Sequence, residues 1–210
     1  MMYICDVEST GISATDQVIE LGYYKAKTLK EESFEFSEFV DKKEWITSKL
    51  KETITQRFKP SVSINPRAQE VHGISLFSLT KEPKSSSLTL PEMSFMLGHN
   101  IIFDKRLIEQ SNKDLNLSSM NLICTMALAK VVQKHKNVPF PDVKLITLVN
   151  FYHPEVLETI NTKYHSASLD VIKTLLLVLS LVKEFPVIET WEDVFNFQNN
   201  LKKVKRYGKE

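Results

Sequence analysis

The chain has 210 residues, 42% hydrophobic and 25% charged, so it is long enough to bury one core and is predicted to form mainly a single domain. Its 27 basic and 26 acidic residues nearly cancel, which excludes a generally basic nucleic-acid coat and leaves only local basic patches. Its two cysteines have no zinc-type spacing, and no signal segment or membrane-spanning run is found, so a reduced, cytoplasmic protein without a membrane role is expected.

Strand-like segments dominate the beginning of the chain and alternate with helical segments later on. The predicted strands cover residues 2–8, 16–27, 34–40, 95–100 and 121–124. The predicted helices cover residues 42–59, 65–72, 101–110, 126–135, 143–151 and 167–184, the last with Ser166 as its cap. This order predicts an α/β protein with a central mixed five-stranded sheet flanked by helices.

The helix predicted for residues 42–59 is amphipathic and basic. Its apolar residues recur every four positions, at Ile46, Leu50, Ile54 and Phe58, while lysines and arginines fill the other faces. A solvated helix on the sheet edge and a nucleic-acid contact surface both remain open for this segment.

Two carboxylates stand at the end of the first predicted strand. Asp6 and Glu8 lie in Ile4-Cys-Asp6-Val-Glu8-Ser-Thr-Gly11, and side chains at i and i+2 of a strand point to the same face. No Lys or Arg lies near them in the sequence to neutralise them. The pair is therefore predicted to bind a cation, and hard oxygen ligands favour Mg²⁺ or Mn²⁺ over zinc.

Two further acids and a histidine are predicted at the ends of later elements. Asp104 and Asp170 each fall in the first turn of a helix, where the helix dipole stabilises an ionised carboxylate. His165 precedes Asp170 by five residues, which places it on the loop before the helix and suits a general base. Four carboxylates at neighbouring element ends could hold two divalent ions for phosphodiester hydrolysis.

The order of these motifs resembles that of the DEDDh 3′→5′ exonucleases, a ribonuclease H-like group that includes DNA polymerase III epsilon, ribonuclease T and exonuclease X. The resemblance covers roughly residues 2–184 and rests on Asp6-Val-Glu8-Ser-Thr-Gly11, Asn65-Pro-x-Ala-x-x-x-His72-Gly-Ile, Gly98-His-Asn-x-x-Phe-Asp104 and His165-x-x-x-x-Asp170. Leu122-Ile-Cys-Thr-Met and Thr190-Trp-Glu-Asp-Val resemble the exonuclease X branch most.

The resemblance implies a two-metal exonuclease using two Mg²⁺ or Mn²⁺ ions. Asp6, Glu8 and Asp170 would hold the first metal, Asp6 and Asp104 the second, and His165 would be the base. The resemblance also implies that six residues contact the terminal nucleotides, namely Thr10, Gly11, Ile12, His72, Asn100 and Phe103. For several of them, core packing or turn geometry is the alternative role. The implied partner is a nucleic-acid 3′ end, with single-stranded DNA favoured, while association with a polymerase or as a homodimer stays open.

Three features depart from the family pattern or extend beyond it. Residues 42–63 are longer than the usual connection, so the approach of the substrate is expected to differ, and Ser9 replaces the more common Thr.

Residues 1–185 are assigned to the exonuclease domain and residues 186–210 to an extension with a basic tail. That tail is expected to be a solvated end or a nucleic-acid contact, and its Tyr207-Gly-Lys209 resembles the start of a basic element that follows the nuclease domain in some relatives, which would make the chain a truncated form.

Three alternatives to a deoxyribonuclease remain. The first is an exoribonuclease of the same family. The second is a haloacid-dehalogenase-type phosphatase with Asp6 as nucleophile, although Glu8 replaces that family's second Asp and no late Asp-Asp pair is present. The third is a binding module that grips a nucleic-acid end without cutting it.

Overall fold

The computed structural model describes residues 1–38, 41–160, 162–185 and 187–207, with no side-chain description for residues 157 and 201–207. The strands are β1 Met2–Ser9, β2 Val18–Ala26, β3 Ile54–Arg57, β4 Phe95–Gly98 and β5 Asn121–Cys124. The helices are α1 Leu29–Glu38, α2 Lys42–Glu52, α3 Pro66–His72, α4 Ile101–Ser111, α5 Thr125–Lys136, α6 Leu145–Tyr152, α7 Leu157–Ile160, α8 Ala167–Lys183 and α9 Trp191–Tyr207.

The five strands form one mixed sheet in the order β3-β2-β1-β4-β5. The pairs β1–β2 and β2–β3 are antiparallel, whereas β1–β4 and β4–β5 are parallel. The predicted α/β fold with a mixed five-stranded sheet is therefore confirmed. Because β1 lies in the centre of this sheet, it is buried along almost its whole length. Helices that pack on either face of the sheet can therefore place side chains at its end.

The two faces of β1 pack against different hydrophobic clusters. Met2 and Ile4 belong to the larger cluster, which is built around α8, while Cys5 and Val7 belong to the cluster that contains residues of α4. Side chains alternate along a strand, so Asp6 and Glu8 lie on the same face as Ile4, which is the α8 face.

Two predicted elements are wrong in type. The strand predicted from Phe34 and Phe36 is instead part of α1, and residues 39–40 of that prediction lie outside the described chain. Leu29, Glu32 and Phe36 are the buried residues of α1, a helical spacing, so the alternation at Phe34 and Phe36 was coincidental.

The basic helix predicted for residues 42–59 is helical only over its first eleven residues. Helix α2 ends at Glu52, and Ile54–Arg57 pairs with β2 as the edge strand β3. The apolar residues recur every four positions beyond the end of α2, but residues 54–57 form a strand because they pair with β2. This non-local contact decides their conformation. The three antiparallel strands still form a meander in space, but α1 and α2 are inserted between the second and the third.

The carboxyl-terminal helix α9 packs on the body of the protein. Trp191 and Val194 are buried in the larger cluster, and the Trp191 indole N–H donates to the Lys27 carbonyl. The Gln198 amide oxygen accepts from the backbone N–H of Cys124 in β5 at 2.6 Å. The basic residues 202–206 lie in α9 with undescribed side chains, and Gly208 and Lys209 lie outside the described residues. Across the described ranges, each helix is either too short or too polar to cross a membrane.

Candidate active site

Three elements bring acidic side chains to the carboxyl end of β1. Strand β1 carries Asp6 and Glu8, and the first turns of α4 and α8 carry Asp104 and Asp170. Helix α4 starts just past the end of β4, the parallel neighbour of β1, so its first turn lies beside the end of β1. Asp104 is fixed there, since its Oδ1 accepts a hydrogen bond from the Val7 backbone N–H at 3.2 Å.

A possible metal-binding group lies on the α8 side of β1. One ligand atom each from Glu8, His165 and Asp170 come within 4.8 Å of one another. Glu8 and Asp170 are buried, while His165 is exposed. Asp6 and Asp104 are not part of this closest group, but Glu8 and Asp170 repel the Asp6 carboxylate and Asp104 repels that of Glu8.

The acidic cluster has more negative charge than the described protein neutralises. Burial raises the pKa of Asp6 well above its usual range, and repulsion from Asp104, Asp170 and Glu8 adds to the rise. Burial, then repulsion from Asp170, raises the pKa of Glu8 to about 8, and burial raises that of Asp104 to about 7. Oxygen ligands gathered under such repulsion fit divalent Mg²⁺ or Mn²⁺.

One cation in this site was missed by the sequence argument. Lys173 is buried one turn after Asp170, and its Nζ lies 2.7 Å from Asp170 Oδ1. The expectation that no Lys or Arg lies near the acids is therefore wrong in space, although it holds for the neighbours of Asp6 in sequence. Burial acts to raise the pKa of Asp170, but hydrogen bonds from His165 and Lys173 lower it overall.

His165 lies on the loop before α8, where its spacing from Asp170 predicted it. Its Nδ1 is 3.1 Å from Asp170 Oδ2, and its backbone N–H donates to the Val71 carbonyl at 2.9 Å. The hydrogen bond to Asp170 raises the pKa of His165, while burial opposes the rise. The hydrogen bond to Val71 holds the loop that carries His165 against the end of α3.

Glu20 on β2 fixes the start of α8, a role that the sequence did not reveal. Its Oε1 accepts from the Ala167 N–H at 3.1 Å and its Oε2 pairs with Arg57 Nε at 2.8 Å. Ser166 is the N-cap residue as predicted, but its side chain makes no cap hydrogen bond. Glu20 supplies that acceptor and lies opposite Glu8 in the β1–β2 register.

Gly22 allows α8 to approach the sheet closely. A Cβ built at Gly22 would lie 2.6 Å from the Ala167 carbonyl carbon and 2.8 Å from the Ser168 nitrogen, closer than real Cβ contacts. Gly22 pairs with Asp6 in the β1–β2 register. Because Gly22 has no side chain, α8, which carries Asp170, can start directly beside β2 and close to Asp6 on β1.

The loop after β1 is held in a fixed conformation. The Thr10 hydroxyl donates to Asp16 Oδ1 at 2.7 Å and accepts from the Gln17 N–H at 2.9 Å. A Cβ at Gly11 would meet the Asp16 carboxylate at 2.7 Å, and the Arg106 guanidinium donates to the Ile12 carbonyl at 3.1 Å. Thr10 and Gly11 thus serve turn geometry, and the loop presents Ile12 with 80% of its surface exposed.

The other residues predicted to contact substrate differ in exposure. Asn100 is exposed at a left-handed φ of 65°, and Phe103 is partly buried with the Arg106 guanidinium 5.2 Å from its ring centre. His72 is buried, with Nδ1 accepting from the Ile74 N–H at 3.0 Å. Its Nε2 is buried as well, and burial lowers the pKa of His72 while a hydrogen bond to the Ser9 backbone opposes the change.

The fold of the chain is similar to that of solved exonuclease structures. No protein-family model and no curated protein matches the chain. Among solved structures, exonuclease X in complex with 5′-overhanging duplex DNA matches with a TM-score of 0.62 and 18% identity, over 93% of this chain and 99% of that one. The zinc-bound complex of E. coli exonuclease I with single-stranded DNA matches with a TM-score of 0.62 and 15% identity.

The exonuclease I match covers 93% of this chain and 42% of that one, so the chain spans less than half of exonuclease I. A product-bound structure of exonuclease I matches with a TM-score of 0.56 over the same share of this chain. The resemblance predicted from four ordered motifs is confirmed at the level of the fold: the chain has the fold of exonuclease X and of part of exonuclease I.

Proposed function

We propose that the chain is a metal-dependent 3′→5′ exonuclease that hydrolyses the terminal phosphodiester bond of nucleic acid and releases nucleoside 5′-monophosphates. DNA is favoured over RNA as substrate, and single strands over duplexes. The observation that carries the proposal is the convergence of Glu8, His165 and Asp170 within 4.8 Å beside Asp6 and Asp104. Exonuclease X and exonuclease I, which share the fold, were crystallised with DNA, and this supports the choice of substrate.

In this proposal the carboxylates hold two divalent ions. Asp6, Glu8 and Asp170 would bind the first ion, and Asp6 and Asp104 the second. When bound, the ions would supply positive charge to orient the phosphodiester and stabilise the leaving 3′ oxygen. Burial, with added repulsion between the carboxylates, raises the pKa values of Asp6, Glu8 and Asp104, and this supports the assignment because divalent cations would relieve the repulsion.

His165 acts as the general base. With Nδ1 directed at Asp170 Oδ2, the neutral ring carries its proton on Nδ1, and Nε2 remains free to accept a proton from the attacking water. The tie between the His165 N–H and the Val71 carbonyl limits where the ring can move. Asp170 thus both contributes to metal binding and selects the tautomer that a base requires.

The terminal nucleotide binds against the loop after β1 and the start of α4. Ile12 and Phe103 offer an exposed and a partly exposed apolar surface for a base, a contact that tolerates any sequence. Asn100 offers an exposed amide, while the buried His72 hydrogen-bonds to the Ser9 backbone beside the loop. Thr10 and Gly11 contribute by holding the loop.

The direction and substrate are tested with DNA and RNA strands labelled at either the 3′ or the 5′ end, in single-stranded and duplex form, with Mg²⁺ or Mn²⁺. The proposal predicts immediate release of labelled mononucleotide from 3′-labelled single-stranded DNA and a descending ladder from 5′-labelled DNA. Faster degradation of RNA would assign the chain to the exoribonucleases. Tight binding without turnover in either metal would favour a binding module.

A further inference from the structure

A basic pocket lies on the outer side of the loop that follows β1. It has a volume of about 400 Å³ and is lined by Gln17, Lys59, Pro60, Ser61, Lys84, Ser85 and Ser86. None of these lining residues is acidic. The pocket belongs partly to the segment 42–63, whose role the sequence left open.

The two lysines are held side by side by the backbone. Lys59 and Lys84 form a parallel β-bridge, in which the Lys59 N–H donates to the Pro83 carbonyl at 2.7 Å and the Ser85 N–H donates to the Lys59 carbonyl at 2.9 Å. Residues paired in this way lie about 4.8 Å apart, with their side chains on the same face. Over the described residues, neither ammonium group has an ion-pair partner within 4.0 Å, so two adjacent positive charges face one cavity.

The remaining lining groups suit an anion with several oxygens. The hydroxyl groups of Ser61 and Ser86 can each donate a hydrogen bond, as can lysine ammonium groups. Lysine and serine donors together are typical of contacts to the phosphates of a nucleic-acid backbone, which carry no sequence information.

The pocket is mechanically joined to the active-site loop. The Gln17 side chain clamps Ser61, donating to its hydroxyl at 2.9 Å and accepting from its N–H at 2.7 Å. The Gln17 backbone pairs with Thr10, whose N–H donates to the Gln17 carbonyl at 2.9 Å. Thr10 follows Glu8 by two residues, so the wall of the pocket at Gln17 lies within about 12 Å of the metal strand.

We infer that this pocket, built around Lys59 and Lys84, binds a phosphodiester group of the substrate strand on the 5′ side of the scissile bond. The inference rests on the proposed exonuclease function. A strand whose 3′ terminal nucleotide occupies the site can continue only in the 5′ direction, and a distance of at most about 12 Å between Glu8 and Gln17 corresponds to no more than about three nucleotides of a stacked strand. The subsite would hold the strand near the catalytic centre between successive cleavages.

The test compares the double variant Lys59→Gln/Lys84→Gln with the wild type on two substrates, a long oligothymidylate and thymidine 5′-p-nitrophenyl phosphate. The small substrate fills the site without reaching the pocket. A matched control is Lys25→Gln/Lys30→Gln, which removes two exposed lysines far from the end of β1. Urea unfolding checks that both variants remain as stable as the wild type.

The expected result is a KM for the oligonucleotide about 10-fold higher, with kcat and activity on the small substrate unchanged. The dependence of log kcat/KM on log salt should become shallower by about 0.7 to 1.4, the value for one or two lost phosphate contacts on a single strand. The control should match the wild type.

Three results would overturn the inference. One is oligonucleotide kinetics of the pocket variant equal to those of the control, and another is an equal loss of activity on the oligonucleotide and on the small substrate; both leave the exonuclease function intact. The third is a wild type that cleaves neither substrate with Mg²⁺ or Mn²⁺, which overturns the proposed function and this inference together.

Discussion

Replacing Gly22 with Ala should damage both stability and activity, because the added methyl group would collide with the start of α8. The new Cβ would lie 2.6 Å from the Ala167 carbonyl carbon, about 0.8 Å closer than the 3.4 Å at which ordinary contact begins. The contacted atoms are backbone atoms, so no side-chain rotation can relieve the overlap, and the helix must move away from β2.

Two magnitudes follow from this displacement. Overpacking of this kind costs about 1–3 kcal/mol, which for a chain of this length lowers Tm by roughly 2–12 °C. Moving the start of α8 by nearly 1 Å would also shift Asp170 and His165 relative to Glu8, and misplacements of about 1 Å reduce turnover by up to about 100-fold.

The measurement combines urea unfolding with kcat for exonuclease activity, taken well below Tm so that unfolding does not contribute. Lys25→Ala on the same strand is the control, because Lys25 is exposed and should leave both quantities nearly unchanged. If Gly22 only added backbone flexibility, Gly22→Ala would instead stabilise the protein, since Gly→Ala at an unstrained site stabilises by about 0.4–1 kcal/mol. A Gly22→Ala variant with unchanged or raised stability and full kcat would refute the close-approach argument.

Three further predictions test the acids and the buried ion pairs. Glu20→Ala should lower stability by about 0.5–2 kcal/mol and reduce kcat, since α8 loses its N-terminal acceptor; equal kcat in the wild type and the variant would exclude this role for Glu20. The metal-free protein should lose stability as pH rises from about 4.5 to about 8, because burial raises the folded-state pKa of Glu8 and the folded state then binds more protons than the unfolded state. Mg²⁺ should therefore raise Tm more at pH 8 than at pH 5, and Glu8→Gln should weaken this difference; a metal-free Tm that increases over that range would contradict the raised pKa. Lys49→Met should cost about 3–5 kcal/mol by leaving the buried Glu32 carboxylate without its cationic partner, and adding Glu32→Gln should recover part of the loss, as measured by urea unfolding.

The parts of the site that could be predicted from sequence depend on local geometry. The alternation of β1 placed Asp6 and Glu8 on one face, and first-turn positions placed Asp104 and Asp170 at helix starts. The spacing of His165 from Asp170 put the histidine on a loop. Each inference needs only the geometry of a single element, and the family resemblance supplied the order in which the elements meet.

The parts that could not be predicted depend on contacts between distant segments. Lys173 is a single charged residue within an apolar stretch of the sequence, and only the position of α8 shows that its ammonium group pairs with Asp170. Glu20 and Gly22 are ordinary strand residues until α8 packs across them. The same reason explains β3, since pairing with β2 made a strand of residues whose spacing indicated a helix.

The central claim is that His165, oriented by Asp170 beside the acidic cluster, is the base of a metal-dependent exonuclease. It is tested most directly by single-turnover cleavage of 3′-labelled single-stranded DNA with Mg²⁺, comparing the wild type with His165→Ala and with the control His135→Ala, which changes a histidine on α5. The account predicts a rate about 10²–10⁴-fold lower for His165→Ala, with DNA binding retained and the control unaffected. Equal rates for His165→Ala and the wild type would contradict it.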